Sequence, residues 1–437
     1  MFRMQGRLAD PVQVLRLLEM PCEVGWRCGL HDSATMTRAS HAVKRVLPFA
    51  GACGMDRRMK PHDTALAALA RKARLRRLVP RAGLDFTSND YLGLAESDAL
   101  REAASAALAR GVPLGAGGSR LLRGNHPEHE ALEAEAASFF GSEAALYFPT
   151  GYAANAALIA SLPRREDLIV YDALIHASVR AGLDPARVAT VEAPHNDVAA
   201  IADAIHAWRA KGGTGRAWIA VETLYSMDGD RAPLDDLMRL ADETDAMLVL
   251  DEAHATGVYG PQGRGLGAAF EGRENVIALH TCGKALGASG GLITCARVYR
   301  DFLVNRARAF VYSTAPSPLM AAVVRRALQL AAAADAERAR LTTLVAHAGK
   351  LMRAYQAPLT MGSQPSGSQI QPIILGQDAR AVRFAEGLQA LGYDIRAIRP
   401  PTVPEGTARL RLAITVHIKE SDLDAVFAWL AEEMAKA

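Results

Sequence analysis

Short apolar runs punctuate the middle of the chain, near 144–148, 168–171, 188–191, 217–221, 247–250, 276–279 and 291–295. Runs this short, bounded by polar or glycine-rich stretches, predict strands rather than helices. Helical or loop segments separate most of them, which predicts a doubly wound α/β domain built on a mostly parallel sheet. In that architecture ligands bind outside the carboxyl ends of the strands. Upstream, apolar and basic positions alternate with helical spacing from Ala65 to Leu78, and Phe86 to Leu94 reads as a short strand and turn. Helices are expected at Ala99–Ala109, closed by Gly111 and Pro113, and at about Pro127–Phe140. From about residue 332 the pattern predicts a long helix, a strand at Ile370–Leu375, a helix, strands at Tyr393–Ile398 and Ala408–Ile414, and a last helix. That is a smaller α+β domain. The expected division is an N-terminal piece over 59–98, a large domain over 99–331 and a small domain over 332–437.

Residues 1–58 differ from the rest. They show little sustained periodicity and contain Cys22, Cys28 and Cys53, three of the five cysteines. They also hold nine basic and five acidic side chains, whereas the remainder holds 41 and 42. The expectation is a disordered extension, or an upstream start with Met59 as the natural one. No apolar stretch followed by a small-residue cleavage site argues for secretion. With no basic face implied for the body, nucleic acid is not an expected partner. The most apolar stretch, Ala144 to Leu162, is interrupted by Pro149, Gly151 and Asn155, so no membrane span is expected. Five cysteines without metal-site spacing suit a reducing cytosol better than a disulfide framework.

Two strand ends carry the candidate chemistry. Met247–Leu250 runs into Asp251-Glu-Ala-His254, and Val276–Leu279 is followed by Thr281-Cys-Gly-Lys284-Ala-Leu-Gly. A lysine in a glycine-rich loop, with few charges in its own stretch, is placed to have its amine pKa lowered from about 10.4 and to act as nucleophile and base. Asp251–His254 also spells the second box of a nucleotide-driven motor, but the matching phosphate loop is missing. Neither Gly283-Lys284 nor Gly349-Lys350 has a glycine five positions before its own glycine, and neither lysine precedes Ser or Thr. Gly263-Arg-Gly-Leu-Gly267 does not directly follow a strand and reads as a turn. The pieces fit pyridoxal 5'-phosphate better. That cofactor needs a carboxylate at its ring nitrogen, an amine for its aldehyde and donors for its phosphate. Asp251 and Lys284 supply the first two, and Phe148 to Asn155 passes from a strand end into a helix start, where free N–H groups favour an anion. His176, after another strand, is placed to stack on the ring, and Ser226 to meet its hydroxyl.

From about residue 65 onward the chain resembles the α-oxoamine synthases, pyridoxal-phosphate enzymes of fold type I. The resemblance rests on Ser88-Asn-Asp-Tyr-Leu-Gly-Leu94, Gly115-Ala-Gly-Gly-Ser119, Thr150-Gly-Tyr-Ala-Ala-Asn155, His176-Ala-Ser178, Ser226-Met-Asp-Gly-Asp230, Asp251-Glu-Ala-His254 and Tyr312-Ser-Thr314. It implies that Lys284 carries the cofactor covalently, Asp251 pairs with the ring nitrogen and His176 stacks on the ring. Ser226 and His254 would bond the cofactor's hydroxyl side; Gly151, Tyr152 and Thr281 would hold the phosphate, with Ser313 or Thr314 reaching over from a partner subunit of a homodimer. Arg399 would bind the amino-acid carboxylate, with Thr402 beside the substrate and Asn89 and Glu222 near the reacting centre. Arg76, in the cluster Arg74–Arg77, would meet the acyl substrate. The run Arg399 to Arg411 most resembles the branch that condenses L-alanine with a pimeloyl thioester, carried on coenzyme A or on acyl carrier protein. A glycine- or serine-using sibling and a scaffold subunit without chemistry are the alternatives.

Overall fold

The computed structural model describes residues 60–355 and 363–436, so the extension expected over 1–58 lies outside the described residues. Twelve strands are described: β1 (Leu84–Asp85), β2 (Ala144–Phe148), β3 (Leu168–Asp172), β4 (Ala189–Ala193), β5 (Ala217–Glu222), β6 (Met247–Asp251), β7 (Val276–Thr281), β8 (Gly291–Cys295), β9 (Ile370–Gly376), β10 (Tyr393–Asp394), β11 (Ala397–Ile398) and β12 (Ala408–Ala413). Seven form one sheet in the order β2-β8-β7-β6-β5-β3-β4. Only β8 runs against its neighbours; the remaining pairs are parallel. This is the mostly parallel, doubly wound sheet expected from the spacing of apolar runs.

Helices on both faces explain why these strands are continuous apolar runs instead of alternating ones. Along β3, Ile169 packs with Ala154, Leu158 and Val179, while its neighbours Leu168 and Val170 pack with Ile201, Leu237 and Leu240. The helices Gly151–Ser161 and Ala177–Ala186 therefore cover one face, and Val198–Ala210 and Leu234–Glu243 the other. The direction in which the chain lays down strands reverses between β3 and β5, since β4 lies beyond β3 on the far side. Such a reversal opens a crevice at the carboxyl ends. Gly263–Gly267 is a turn, as expected: the Glu252 carboxylate accepts the Leu266 and Gly267 N–H groups at 3.0 and 2.6 Å.

Toward the carboxyl end, β11-β12-β9 form an antiparallel sheet. Two expectations change here. Tyr393–Ile398 is not one strand: Ile395 N bonds back to Tyr393 O, turning the chain so that β10 pairs with β1 and β11 with β12. Nor does the segment Ala65–Leu78 continue as one helix. The helix spans Lys60–Arg71, and Ala73 adopts φ 54°, a left-handed conformation that ends it. Arg74 is thereby aimed at Asp378 and Glu405. No helix among the described residues is long and apolar enough to cross a membrane.

Candidate active site

Four adjacent parallel strands end in polar side chains: Thr281 on β7, Asp251 on β6, Glu222 on β5 and Asp172 on β3. Glu222 and Asp251 are direct register partners and are 2% and 4% exposed. Two buried carboxylates side by side repel and call for a cation. Lys284 supplies it from the loop after β7. Burial draws its amine down to about 8, with Asp251 and Glu222 opposing that fall and the Arg411 charge adding to it. Glu222 is pushed up to about 8, first by burial and then by the Asp251 charge. One Glu222 oxygen accepts the Ser226 N–H at 2.9 Å, and the other has no partner among the described residues.

Asp251 is held at both oxygens. Asn155 Nδ2 donates to one at 2.7 Å and Ala253 N to the other at 2.9 Å. Asn155 also reaches the Ser178 hydroxyl at 3.0 Å, and that hydroxyl lies 2.7 Å from His176 Nδ1. A continuous chain thus links the Asp251 carboxylate to the histidine that begins the helix Ala177–Ala186. His254 is buried, with Lys284 Nζ 2.7 Å from Nε2 and Tyr91 Oη 2.7 Å from Nδ1. Burial, then the Lys284 and Arg411 charges, hold its pKa well below the usual range, so the ring is neutral. Arg411 enters from β12: Nε donates to Ser226 O at 2.5 Å and one terminal nitrogen to Asn89 Oδ1 at 3.0 Å.

Asn89, His176, Ser226, His254, Lys284 and Arg411 line one cavity of ≈670 Å³, joined by the segment Pro401–Pro404 that carries Thr402. Beside it lies the start of the helix Gly151–Ser161. The Thr150 hydroxyl caps only Ala153 N, so earlier N–H groups remain free of that cap. A Cβ on Gly151 would stand 3.1 Å from the Thr281 hydroxyl, so glycine keeps that approach open. Such a helix start can hold an anionic group.

The model for the aminotransferase class I and II family matches residues 81–428. An 8-amino-7-oxononanoate synthase of Herminiimonas arsenicoxydans is 41% identical over 357 residues, covering 80% of this chain and 89% of that one. The chain belongs to the 8-amino-7-oxononanoate synthase branch of this family. Among solved structures, the 8-amino-7-oxononanoate synthase of Francisella tularensis aligns with TM-score 0.70 and 25% identity over 81% of this chain and 98% of its own. The serine palmitoyltransferase of Sphingomonas wittichii reaches TM-score 0.76, also at 25% identity, over 88% and 98%. Backbone likeness extends to both structures at the same identity; the assignment to the branch rests on the 41% identical relative.

Asp251, Glu222, Lys284, His254, His176, Ser226, Asn89 and Thr402 gather at or directly beneath the cavity. Gly151 and Thr281 lie against each other, and Tyr152 is half-exposed with its ring 6.3 Å from that of His176. Three expected residues stand off the cavity wall. Arg399 donates to the Ala73 carbonyl, Arg76 reaches Thr402 Oγ1 at 3.2 Å, and Thr314 is exposed, just before Ala315, whose N–H bonds Gly118 O. Sequence reasoning did not single out Tyr91, Asn155, Ser178 or Arg411. For Arg411 a signal existed: Arg409 and Arg411 interrupt the apolar strand β12 and are both buried. Buried charges of that kind require partners, which are found here in Asp228 and the site.

Proposed function

We propose that the chain catalyses decarboxylative condensation of L-alanine with a pimeloyl thioester, on coenzyme A or acyl carrier protein. The products are 8-amino-7-oxononanoate, CO2 and the free thiol. The observation that carries this reading is the buried Lys284 amine, drawn down to about 8 beside Asp251, Glu222 and His254, in a chain with 41% identity to such a synthase.

The cofactor proposed is pyridoxal 5'-phosphate, which when bound supplies an aldehyde carbon and a cationic ring able to take up the electron pair released at an amino acid's Cα. The residues present suit it. Asp251, fixed by Asn155 and Ala253, offers a stationary negative charge for a ring nitrogen. Gly151, Tyr152 and Thr281 offer the phosphate site, and His176 lines the cavity at the other end of the Ser178–Asn155 chain from Asp251. Ser226 and His254 would meet the ring hydroxyl.

Lys284 is the residue to move the Cα proton. About a tenth of a lysine amine near pKa 8 is neutral at pH 7, far more than of an ordinary lysine, and the neutral His254 beside it accepts or donates a hydrogen bond without competing as a cation. The substrate carboxylate is assigned to Arg411, which lines the cavity, in preference to Arg399, which does not. Thr402 and Asn89 complete that wall. The acyl chain's far carboxylate is assigned to Arg76, because Arg74 is already paired with Asp378 and Glu405. A homodimer would place Thr314 of one protomer near the phosphate site of the other.

The test is a substrate matrix on the cofactor-loaded protein: alanine, glycine and serine, each with pimeloyl-, acetyl-, succinyl- and palmitoyl-CoA. Alanine with the pimeloyl thioester should turn over fastest. Glycine should be a poor but measurable substitute, since a missing methyl is worth only about 1–3 kcal/mol. Preference for acetyl-CoA with glycine would leave the family and remove this substrate pair.

A further inference from the structure

Two walls of the cavity grow from different strand ends. Asp172, the last residue of β3, leads directly into the segment that ends in His176; Asp230 closes the loop after β5 that carries Tyr225 and Ser226. His195, in the turn after β4, stands between these carboxylates. Its Nδ1 lies 2.9 Å from Asp172 Oδ1 and its Nε2 2.7 Å from Asp230 Oδ2. An ionised carboxylate only accepts hydrogen bonds, so both ring nitrogens must carry hydrogen, and the ring is an imidazolium. Burial pulls its pKa down, but the bonds to Asp172 and Asp230 outweigh that and hold it at about 10.

The neighbouring residue repeats the bridge. Asn196 N donates to Asp172 Oδ2 at 2.7 Å, while Asn196 Nδ2 donates to Asp230 Oδ2 at 2.8 Å and to Arg231 O at 3.2 Å. To do so Asn196 adopts φ 55°, a left-handed conformation that asparagine tolerates better than most residues. The His195 ring meets Tyr225 edge-on at 4.4 Å, and Tyr225 lines the cavity. Asp172 also accepts Leu174 N at 2.8 Å, fixing the start of the His176 segment. His195 itself is not on the cavity wall, and the chemistry above makes no use of it.

We propose that His195 is a positioning residue, a cationic pin that joins the loop bearing His176 to the loop bearing Ser226 and so sets the separation of the two walls. The proposal rests on the cavity being the reaction site. Removing the cation leaves Asp172 and Asp230 facing each other with a single amide bridge, and like charges then favour separation of the loops.

The experiment compares the full chain with His195→Gln, Asp230→Asn and the double variant. In the cofactor-free protein, amide hydrogen exchange should rise together over 173–176 and 223–231 in each single variant. In the loaded protein, kcat/KM for alanine should fall about 10–100-fold and the visible circular dichroism of the cofactor should change, with the melting temperature nearly unmoved. The double variant pairs a neutral amide with a neutral amide, so its loss should be smaller than the product of the two single losses. Exchange confined to 195–197, or unaltered kcat/KM and dichroism, would overturn the pin. So would activity lost only in proportion to the unfolded fraction. If His195→Gln does not fold, Asp230→Asn carries the same comparison from the other loop. The exchange measurement needs no substrate, so failure of the pin is distinguishable from failure of the substrate assignment.

Discussion

The floor of the cavity and its rim both carry charge, yet they hold it differently. At the floor, Asp251, Glu222 and His254 are buried at or just beyond the ends of hydrogen-bonded strands, and Asp251 and His254 each have at least two identified partners. At the rim, Arg76 lies past the end of a helix with no buried residue and is exposed, with Thr402 as its neutral partner. Removing water strengthens every charge interaction at the floor, whereas solvent and salt screen those at the rim. The floor therefore suits chemistry, which needs fixed charges, and the rim suits selectivity, which gains from modest and exchangeable ones.

The comparison is tested most severely at the floor. Lys284→Ala should lower turnover by at least about 10⁴-fold, since it removes the residue proposed both to hold the cofactor covalently and to accept the proton. The variant should still bind cofactor and alanine, as shown by a retained visible absorption band. Borohydride reduction of the parent followed by peptide mapping should place the cofactor on Lys284. A label on another lysine would transfer the floor's role elsewhere.

Asp251→Asn comes next. It keeps the shape and one acceptor but removes the charge, so kcat should fall by about 10²–10³-fold while the fold persists. Near-normal turnover with cofactor bound would show that this buried charge is idle.

Much of this floor was legible from sequence because strand ends are marked twice, by the apolar run and by the polar residue that closes it. Asp251 closes such a run and Lys284 follows one within a few residues, so one pattern located both; Glu222 also closes such a run, but its role came from the family resemblance. Arg411, Asn155 and the His195 pair were not legible in the same way. Each acts through a contact between segments far apart in sequence, such as Arg411 with Ser226 or Asn155 with Asp251. For His195 the meeting follows from the strand order, in which β3 lies between β4 and β5; for Arg411 it follows from β12 belonging to the other sheet. The break inside Tyr393–Ile398 was hidden for a local reason: both halves are extended, and only the short bond from Ile395 to Tyr393 separates them.

At the rim the expected effect is smaller. Arg76→Ala should raise KM for the pimeloyl thioester about 10-fold at most, with kcat little changed, in keeping with an exposed ion pair. An apolar acyl chain of the same length should be unaffected, and raised salt should reproduce part of the loss in the parent. A larger loss from Arg74→Ala than from Arg76→Ala would move the assignment to the guanidinium already held by Asp378 and Glu405.

The smallest effect probes how strongly the floor's charges are coupled. In the cofactor-free protein, Lys284 titrates near 8 because burial lowers it while Asp251 and Glu222 hold it up. Replacing Glu222 by Gln removes one of the supporting charges, so the amine should lose its proton at lower pH. Glu222 is itself pushed up to about 8, so at pH 7 it is only partly ionised and the loss of its charge is incomplete. About a tenth of an amine with pKa 8 is neutral at pH 7, which caps any gain in reactivity at roughly tenfold. A rise of less than about 2-fold is therefore expected in the rate at which an acylating reagent labels Lys284 at about pH 7–8, read by mass spectrometry. The gain should vanish by about pH 10, where both proteins carry a neutral amine. A slower reaction in Glu222→Gln would mean that the carboxylate acts on Lys284 through position and not through charge.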